Sequence, residues 1–233
     1  STSSIGEAGG FYAHGGANIR YSVVSGNTAG KGIGGFFVNG GYEAKFTDST
    51  ISGNSAPYGV IGGGAISNTS NVYFYNSTLA FNTASAATYG SAVYAAGLAV
   101  KGVSVSSGKT VPVIMSSTLM SNNTYGAPGI GYDFSISTAQ GPVSVTGSKN
   151  LVLHSSASLP SDTKHVCPLL GPLRDNGGPT LTHALLSRSP AIDKGFSSFA
   201  GNDQRGIGFM RESPSGLPDI GAYEGQETDI VFD

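Results

Sequence analysis

Apolar and polar residues alternate in short runs along the first two thirds of this chain. Alternation with a period of two is typical of β-strands with one buried face, and Gly, Asn and Ser separate the runs as turn residues. The runs come in sets of three: a glycine-led run, a second run, and a third that begins with Ser. The glycine-led runs are residues 34–38, 63–66, 90–94 and 131–136, and the second runs are residues 17–21, 43–47, 71–75 and 112–115. The pattern therefore predicts repeating sets of three short strands.

The third run carries a frame that occurs four times. Ser stands two positions before a central aliphatic residue, and Asn stands three positions after it. The central residues are Val24, Ile51, Leu79 and Leu119, at intervals of 27, 28 and 40 residues. Self-similarity at a nearly fixed period indicates a solenoid, in which each turn of chain stacks on the last. Three short strands per period fit a parallel β-helix, whereas a propeller blade needs four strands in roughly 40–45 residues.

Stacking makes each frame position a column of equivalent residues. We expect an inward column five positions before the central aliphatic residue, a serine column at a narrow bend, and an asparagine column at a turn. Turn asparagines tolerate left-handed backbone geometry, and a ladder of amides satisfies buried turn backbone, so we interpret the asparagines as structural. The columns are Ile19, Phe46, Phe74 and Ile114; Ser22, Ser49, Ser77 and Ser117; and Asn27, Asn54, Asn82 and Asn122.

Composition reduces the number of fold classes and partner classes that fit this chain. The chain has 36 glycines, which disfavour helical repeats because each Gly inside a helix costs about 1 kcal/mol relative to Ala. A net charge of −2 gives no electrostatic reason to expect nucleic acid or anionic membrane as a partner. Cys167 is the single cysteine, so an intrachain disulfide and a zinc–thiolate cluster are excluded, and we expect a buried thiol. No run approaches the ~20 apolar residues of a membrane span.

One segment of the repeats resembles a known family. Gly-Gly-Ala-Ile at residues 63–66, followed by Phe81-Asn82, is similar to the repeats of polymorphic outer-membrane proteins and related bacterial β-helix adhesins. The resemblance implies a right-handed helix and an extracellular setting. The chain opens inside a repeat at residues 9–12 without a signal peptide, so we expect a mature product or a trimmed fragment.

The composition changes near His154, where the repeat frame stops. Four motifs follow in order and resemble the C-terminal signature of the choice-of-anchor Q proteins, which are bacterial surface or secreted proteins with a parallel β-helix. The motifs are residues 175–185, 189–195, 203–206 and 218–224. We expect them to tie irregular loops down at the helix end, with a short helix over residues 180–186. Proteins of that family carry an anchor beyond this region, and we expect that here the anchor has been cut off or that the protein is released.

Pattern and resemblance together predict an all-β protein: a single-stranded, right-handed parallel β-helix of the pectin-lyase type with about five to six coils. The helix covers residues 1–153, and residues 154–233 form a loop-rich cap packed on it as part of one domain. Open strand edges at the ends of such a rod invite end-to-end self-association unless they are capped.

Two regions are candidate binding surfaces. Tyr73 and Tyr75 on one strand face, with Lys45 and Arg20 from earlier coils, have the chemistry to stack on sugar rings and hold acidic groups. The alternative is that they are ordinary strand formers half-covered by a loop. The second region is the insertion over residues 95–111, which contains Lys101 and Lys109. Inserted loops often carry specificity, but a longer loop is also tolerated at little cost.

Catalysis has little support in the sequence. The repeats hold few carboxylates, and the weak candidates are Asp48 with Lys45 in the repeats and Asp203 in the C-terminal segment. No catalytic motif is present, and no cluster of acids suggests a cation site, so we predict neither metal nor cofactor. The leading hypothesis is a non-enzymatic adhesin or binding scaffold for a polysaccharide or surface protein. The alternatives are a polysaccharide lyase or glycoside hydrolase, and an inert structural stalk.

Overall fold

The computed structural model describes residues 8–85, 95–102, 108–126, 131–196, 201–211 and 216–226. All regular structure in these ranges is β, without a helix. Three five-stranded parallel sheets hold most of the strands. The first sheet comprises β1 Phe11–His14, β4 Phe36–Asn39, β8 Gly64–Ser67, β12 Leu98–Lys101 and β16 Phe134–Ser137. The second comprises β2 Ala17–Arg20, β5 Glu43–Thr47, β9 Asn71–Tyr75, β13 Val111–Ser116 and β17 Val143–Ser148.

The third sheet comprises β3 Val23–Ser25, β6 Thr50–Ser52, β10 Thr78–Ala80, β14 Leu119–Ser121 and β18 Leu151–Val152. Three strands of two residues each form a small parallel sheet: β7 Ser55–Ala56, β11 Thr83–Ala84 and β15 Thr124–Tyr125. The chain visits the three large sheets in turn, and each strand pairs with its equivalent one passage later; one such passage is called a coil below. This arrangement is consistent with a parallel β-helix, so the prediction of an all-β parallel repeat fold is confirmed.

The core runs through the interior of the stack. Alternate residues of each strand point inward, and aromatic rings from successive coils lie on one another. The rings of Phe46 and Phe74 are parallel, with centroids 4.8 Å apart, and Phe36 contacts Phe46 at 4.6 Å. Because equivalent residues of a parallel stack lie about 4.8 Å apart, the repeated aliphatic and aromatic positions of the sequence become a continuous apolar column.

The asparagine column exists, but its fourth member was predicted wrongly. Leu79 pairs with Ile51 and with Met120, not with Leu119, so the fourth frame is shifted by one residue. Met115 instead of Ile114 therefore occupies the inward column, and Thr118 replaces Ser117 in the serine column. The ladder runs through Asn27, Asn54, Asn82 and Asn123 and ends on Asp133. Adjacent Ser-Thr and Asn-Asn pairs made the register ambiguous in the sequence.

Each ladder asparagine bonds the next coil twice. The backbone N–H and the Nδ2 of Asn82 both donate to Asn123 Oδ1, at 3.0 and 2.8 Å, and Nδ2 also donates to Ile51 O at 3.1 Å. The residue before each ladder asparagine has the left-handed conformation: Gly26, Gly53, Phe81 and Asn122 have φ between 57° and 66°. The left-handed turn assigned to the asparagine column thus belongs to the preceding residue.

A glycine column packs against this ladder. A Cβ on Gly35 would lie 2.1 Å from the carbonyl oxygen of Gly63 in the next coil and 3.1 Å from the amide carbon of Asn54. Because no side chain fits in that space, the glycine-led runs and the asparagine frame, which are far apart in sequence, form one structural unit.

The fourth strand of the first sheet differs from the third predicted glycine-led run. It is β12 at Leu98–Lys101, inside the predicted insertion, and it pairs with β8 and β16. The predicted strand at residues 90–94 lies outside the described residues, as do residues 103–107 of the insertion. The interpretation of residues 95–111 as one excursion is therefore wrong, because at least residues 98–101 belong to a sheet.

The C-terminal segment covers one end and one side of the stack. Residues 154–165 cross the end, with parallel bridges from Ser155 to Phe134 and from Lys164 to Leu151, so the strand edges there have partners. Later residues lie along the outer face of the third sheet rather than at its end: Gln204 contacts Thr50, and Ala222 N donates to Thr78 Oγ1.

Two smaller expectations about this segment are also wrong. Residues 180–186 contain no helix but the strand β20 Thr182–Leu185, which pairs antiparallel with β19 Leu170–Arg174. Cys167, expected to be buried, is exposed.

Candidate functional site

The outer face of the second sheet brings four of the predicted binding residues together. Strand pairing aligns Asn18, Lys45 and Tyr73 in one row across β2, β5 and β9, and Arg20, Thr47 and Tyr75 in the next row. Their inward neighbours, such as Phe46 and Phe74, are fully buried, so alternation alone directs these side chains outward. Arg20, Lys45, Tyr73 and Tyr75 are called the tyrosine–lysine face below.

The geometry of this face is compact. The ring centroids of Tyr73 and Tyr75 are 5.9 Å apart, and Lys45 Nζ lies 6.0 and 5.7 Å from them. These separations are within the range of cation–π attraction. Burial, and then the neighbouring Tyr73 and Glu43, raise the pKa of the Tyr75 phenol above its ordinary value, so it stays a neutral hydroxyl donor. Arg20 lies over the ring of Tyr21, 5.3 Å from its centroid, at the edge of the face.

The other two predicted binding residues lie elsewhere. Lys101 ends β12 in the first sheet, where it pairs with Ser137 and is half-buried. Lys109 is exposed just before β13. Lys101 lies in a different sheet from Lys45, because the bends between sheets send consecutive strands to different sides of the stack, and Lys109 lies outside the strands. No local pattern in the sequence specifies those bends.

Asp48, a weak catalytic candidate, is buried in an ion pair. It stands at the bend after β5 with φ 46° and is 5% exposed. Arg211 Nε donates to Asp48 Oδ1 at 3.0 Å, and a second guanidinium nitrogen lies 2.9 Å from the same oxygen. Burial raises the pKa of Asp48, and Arg211 opposes that effect. Lys45 points to the outer face of the sheet, so the proposed Asp48–Lys45 pair is divided between a buried contact and an exposed surface.

Asp203, the other candidate, is fully buried and saturated with hydrogen bonds. It accepts from Arg205 Nε and Nη2 and from the backbone N–H of Arg205 and Glu224. The Arg205 guanidinium carbon lies 3.9 and 4.0 Å from the ring centroids of Phe209 and Tyr223. A carboxylate that is held by a stacked arginine has no open position for substrate, so this unit fixes the irregular chain.

A further acid lies in the same buried region. Glu224 Oε2 accepts from Asp219 N at 2.8 Å and lies 3.8 Å from Arg211 Nη1. Burial, and then the negative charge of Asp219, raise the pKa of Glu224 to about 8. Burial also raises the pKa of Asp219. Asp48, Arg211, Glu224, Asp219, Asp203 and Arg205 are called the buried charge cluster below.

Ser52 and His183 have the spacing of a nucleophile–base pair, but a substrate cannot reach them. Ser52 Oγ lies 2.8 Å from His183 Nε2, and His183 Nδ1 lies 2.7 Å from the carbonyl oxygen of Gly171. Nδ1 must donate to that carbonyl, so Nε2 accepts from the serine. Both residues are at least 97% buried, and burial lowers the pKa of His183. The pair therefore anchors β20 to the third sheet.

The sequence missed the partner of Asp48. Arg211 is 163 residues away from Asp48, and no local pattern connects the two. The C-terminal motifs did mark most other members of the buried charge cluster. The signal for these members was that charged residues cluster in a region of the sequence that is rich in turn residues.

The described ranges hold no cluster of three or more His, Cys, Asp or Glu side chains suited to a metal ion. Within those ranges there is also no helix with the length and apolarity needed to cross a membrane. No family model, no curated protein and no solved structure matches this chain.

Proposed function

We propose that this protein is a bacterial cell-surface or secreted binding scaffold, an adhesin without enzymatic activity. Its ligand is a carbohydrate or another component of a cell surface. The observation that carries the proposal is the tyrosine–lysine face, where two tyrosine rings and an ammonium group lie within 6.0 Å of each other on an outward strand surface. Aromatic rings stack on the apolar faces of sugars, and a nearby cation adds attraction for acidic substituents.

The rigidity of the scaffold favours this role. Tyr73 and Tyr75 project from β9, which is hydrogen-bonded on both sides by β5 and β13. Binding to a surface that is already ordered loses little conformational entropy, so a few contacts suffice for useful affinity. A linear repeat with equivalent rows every ~4.8 Å also suits a polymeric ligand that contacts successive coils.

For the scaffold itself we propose a right-handed parallel β-helix of the pectin-lyase type with five to six coils, packed as one domain with its C-terminal segment. Support comes from the general rule that parallel crossovers are right-handed. The resemblance to the choice-of-anchor Q signature supports a surface or secreted location. Among the residues of its four motifs, Asp203, Arg205, Asp219 and Glu224 are all buried.

The alternative of a polysaccharide-degrading enzyme has less support. Both candidate carboxylates are shielded from solvent and engaged by arginines. An inert stalk remains the outcome if no ligand binds the tyrosine–lysine face.

A glycan-array experiment tests the proposal. The intact chain is compared with the Tyr73→Ala/Tyr75→Ala double variant on an array that includes neutral and acidic polysaccharides. We expect binding to at least one glycan class and a loss of at least about tenfold in the variant, equivalent to about 1.4 kcal/mol. Lys45→Ala should weaken acidic glycans more than neutral ones.

The matched control is Tyr12→Ala/Tyr42→Ala, which removes two exposed tyrosines outside the face. Equal binding by the wild type and the Tyr73→Ala/Tyr75→Ala variant would remove the face from consideration. Absence of binding by the wild type to every glycan would favour a stalk or a protein ligand.

A further inference from the structure

A second surface feature lies at the end of the stack that residues 154–165 cross. It is a cleft of about 430 Å³, a volume typical of small-molecule sites. Tyr132, just before β16, forms one wall, and Leu153 and His154, just after β18, form another. Residues of the crossing segment close it. The cleft shares no residue with the tyrosine–lysine face.

Backbone hydrogen bonds hold the walls in place. His154 and Asp133 bond reciprocally: His154 N donates to Asp133 Oδ2 at 2.9 Å, and Asp133 N donates to His154 O at 2.8 Å. Asp133 is also the end of the asparagine ladder. On the other side, Val152 N donates to Lys164 O at 3.0 Å. These bonds to the last coil hold the walls of the cleft in place, so the cleft is pre-formed.

The polar groups in the cleft have free hydrogen-bonding capacity. His165 Nδ1 lies 2.7 Å from the carbonyl oxygen of Val152, which makes Nδ1 the donor and leaves Nε2 available. Thr163 is only 9% exposed, and its Oγ1 has no hydrogen-bond partner among the described residues. A buried hydroxyl without a partner costs about 1–3 kcal/mol. Because Thr163 Oγ1 is sealed inside the wall, the hydroxyl of Ser161 and His165 Nε2 are the polar groups that a ligand in the cleft can reach.

The lining indicates the class of ligand. Among the described residues that line the cleft, none is Asp, Glu, Lys or Arg. Apolar surface from Leu159 and Pro160 lies beside the ring of Tyr132, which is 43% exposed, and the hydroxyl of Ser161. An aromatic ring with several hydroxyls and imidazoles, and without Asp, Glu, Lys or Arg, matches an uncharged molecule that carries many hydroxyl groups. We propose that the cleft binds a single neutral sugar residue, independently of the tyrosine–lysine face.

The test uses galactose, glucose, mannose and N-acetylglucosamine as neutral probes and galacturonate as the charged counterpart of galactose. Binding to the intact chain is measured by saturation-transfer NMR and titration calorimetry. We expect saturation of at least one neutral sugar and weaker binding of galacturonate than of galactose. Failure of every neutral sugar to saturate would overturn the proposal, and equal or tighter binding of galacturonate would overturn the ligand class.

Ser161→Ala separates a binding role of the cleft from a structural one. The substitution removes an exposed hydroxyl from the cleft lining, so unfolding by urea should show unchanged stability. Sugar binding should weaken about fivefold, the equivalent of one hydrogen bond. Unchanged sugar affinity in this variant would contradict the proposal.

Tyr132→Ala should weaken the same sugar, whereas Tyr58→Ala, which removes an exposed tyrosine outside the cleft, should leave binding as in the wild type. The Tyr73→Ala/Tyr75→Ala variant should retain monosaccharide binding in full. Loss of binding in that variant, with retention in Tyr132→Ala, would assign the sugar to the other face and overturn the cleft proposal.

Discussion

Asn122 and Asn123 are adjacent and chemically identical, but they have different structural roles. Asn123 is 4% exposed; its Nδ2 donates to Asp133 Oδ1 at 2.7 Å, and its Oδ1 accepts two bonds from Asn82. Asn122 supplies the left-handed backbone turn, with φ 58°. At the residue scale, position in the bend decides the role, because the same side chain is buried at one site and points outward at the next.

Asn123→Ala should destabilise the protein by roughly 2–4 kcal/mol, because it leaves several buried donors and acceptors without partners. The measurement is urea unfolding followed by circular dichroism. Asn122→Gly is the matched control. Glycine has no steric cost in the left-handed conformation, so its effect should stay within about 1 kcal/mol. Similar losses in both variants would show that the ladder register is wrong.

At the scale of elements, the C-terminal segment covers the outer face of the third sheet. Thr50 and Thr78 lie in one outward row and bond Gln204 and the backbone of Ala222. In the later coils, apolar Leu119 and Leu151 follow in that row and pack on Ala191 and Ile220. The C-terminal segment therefore ties several coils together from the side, which end-to-end stacking alone would not do.

The Arg211–Asp48 pair is the ionic part of this attachment. Arg211→Met leaves a buried carboxylate without its partner and should cost about 3–5 kcal/mol. Adding Asp48→Asn should recover part of that loss, since asparagine is uncharged and tolerates the left-handed backbone at this bend. The check is a double-mutant cycle by chemical unfolding, with an expected coupling of about 1–3 kcal/mol. Additive effects of the two substitutions would mean that the ion pair does not hold the segment.

At the scale of the whole molecule, the buried charge cluster makes stability depend on pH. Glu224 has its pKa raised from 4.5 to about 8, so the folded state holds a proton that the unfolded state has released between these values. Stability from this group is present below pH 4.5 and is lost as the pH rises towards 8. His183 acts in the opposite direction, but only below its ordinary pKa of 6.5, because burial lowers its pKa.

Between pH 6.5 and 8, stability should therefore fall with rising pH, by at most about 1.4 kcal/mol per pH unit for a single proton. Glu224→Gln should flatten this slope, because the amide stays uncharged. The exposed Glu43→Gln should leave it unchanged. Urea midpoints at several pH values provide the measurement. A wild-type slope that is flat or rises with pH would contradict the burial effect at Glu224.

The sequence by itself determined the repeat, the strand alternation and the columns, because the period-two and 27-residue patterns depend on local residue types and on their spacing. It therefore gave the inward position of Phe46 and Phe74 and the common outer face of Lys45, Tyr73 and Tyr75. Tertiary structure decided the features for which the local pattern allowed two registers or gave no signal. Stacking contacts chose between adjacent Asn122 and Asn123, and placed β12 inside the apparent insertion.

The remaining decisions depended on contacts between distant parts of the chain. The Arg211–Asp48 pair and the course of the C-terminal segment along the third sheet join residues more than 100 positions apart. The cleft around Thr163 and His165 likewise forms only where the crossing segment meets the end of the stack. Such contacts leave no periodic trace in a sequence, because their geometry exists only after the coils have stacked.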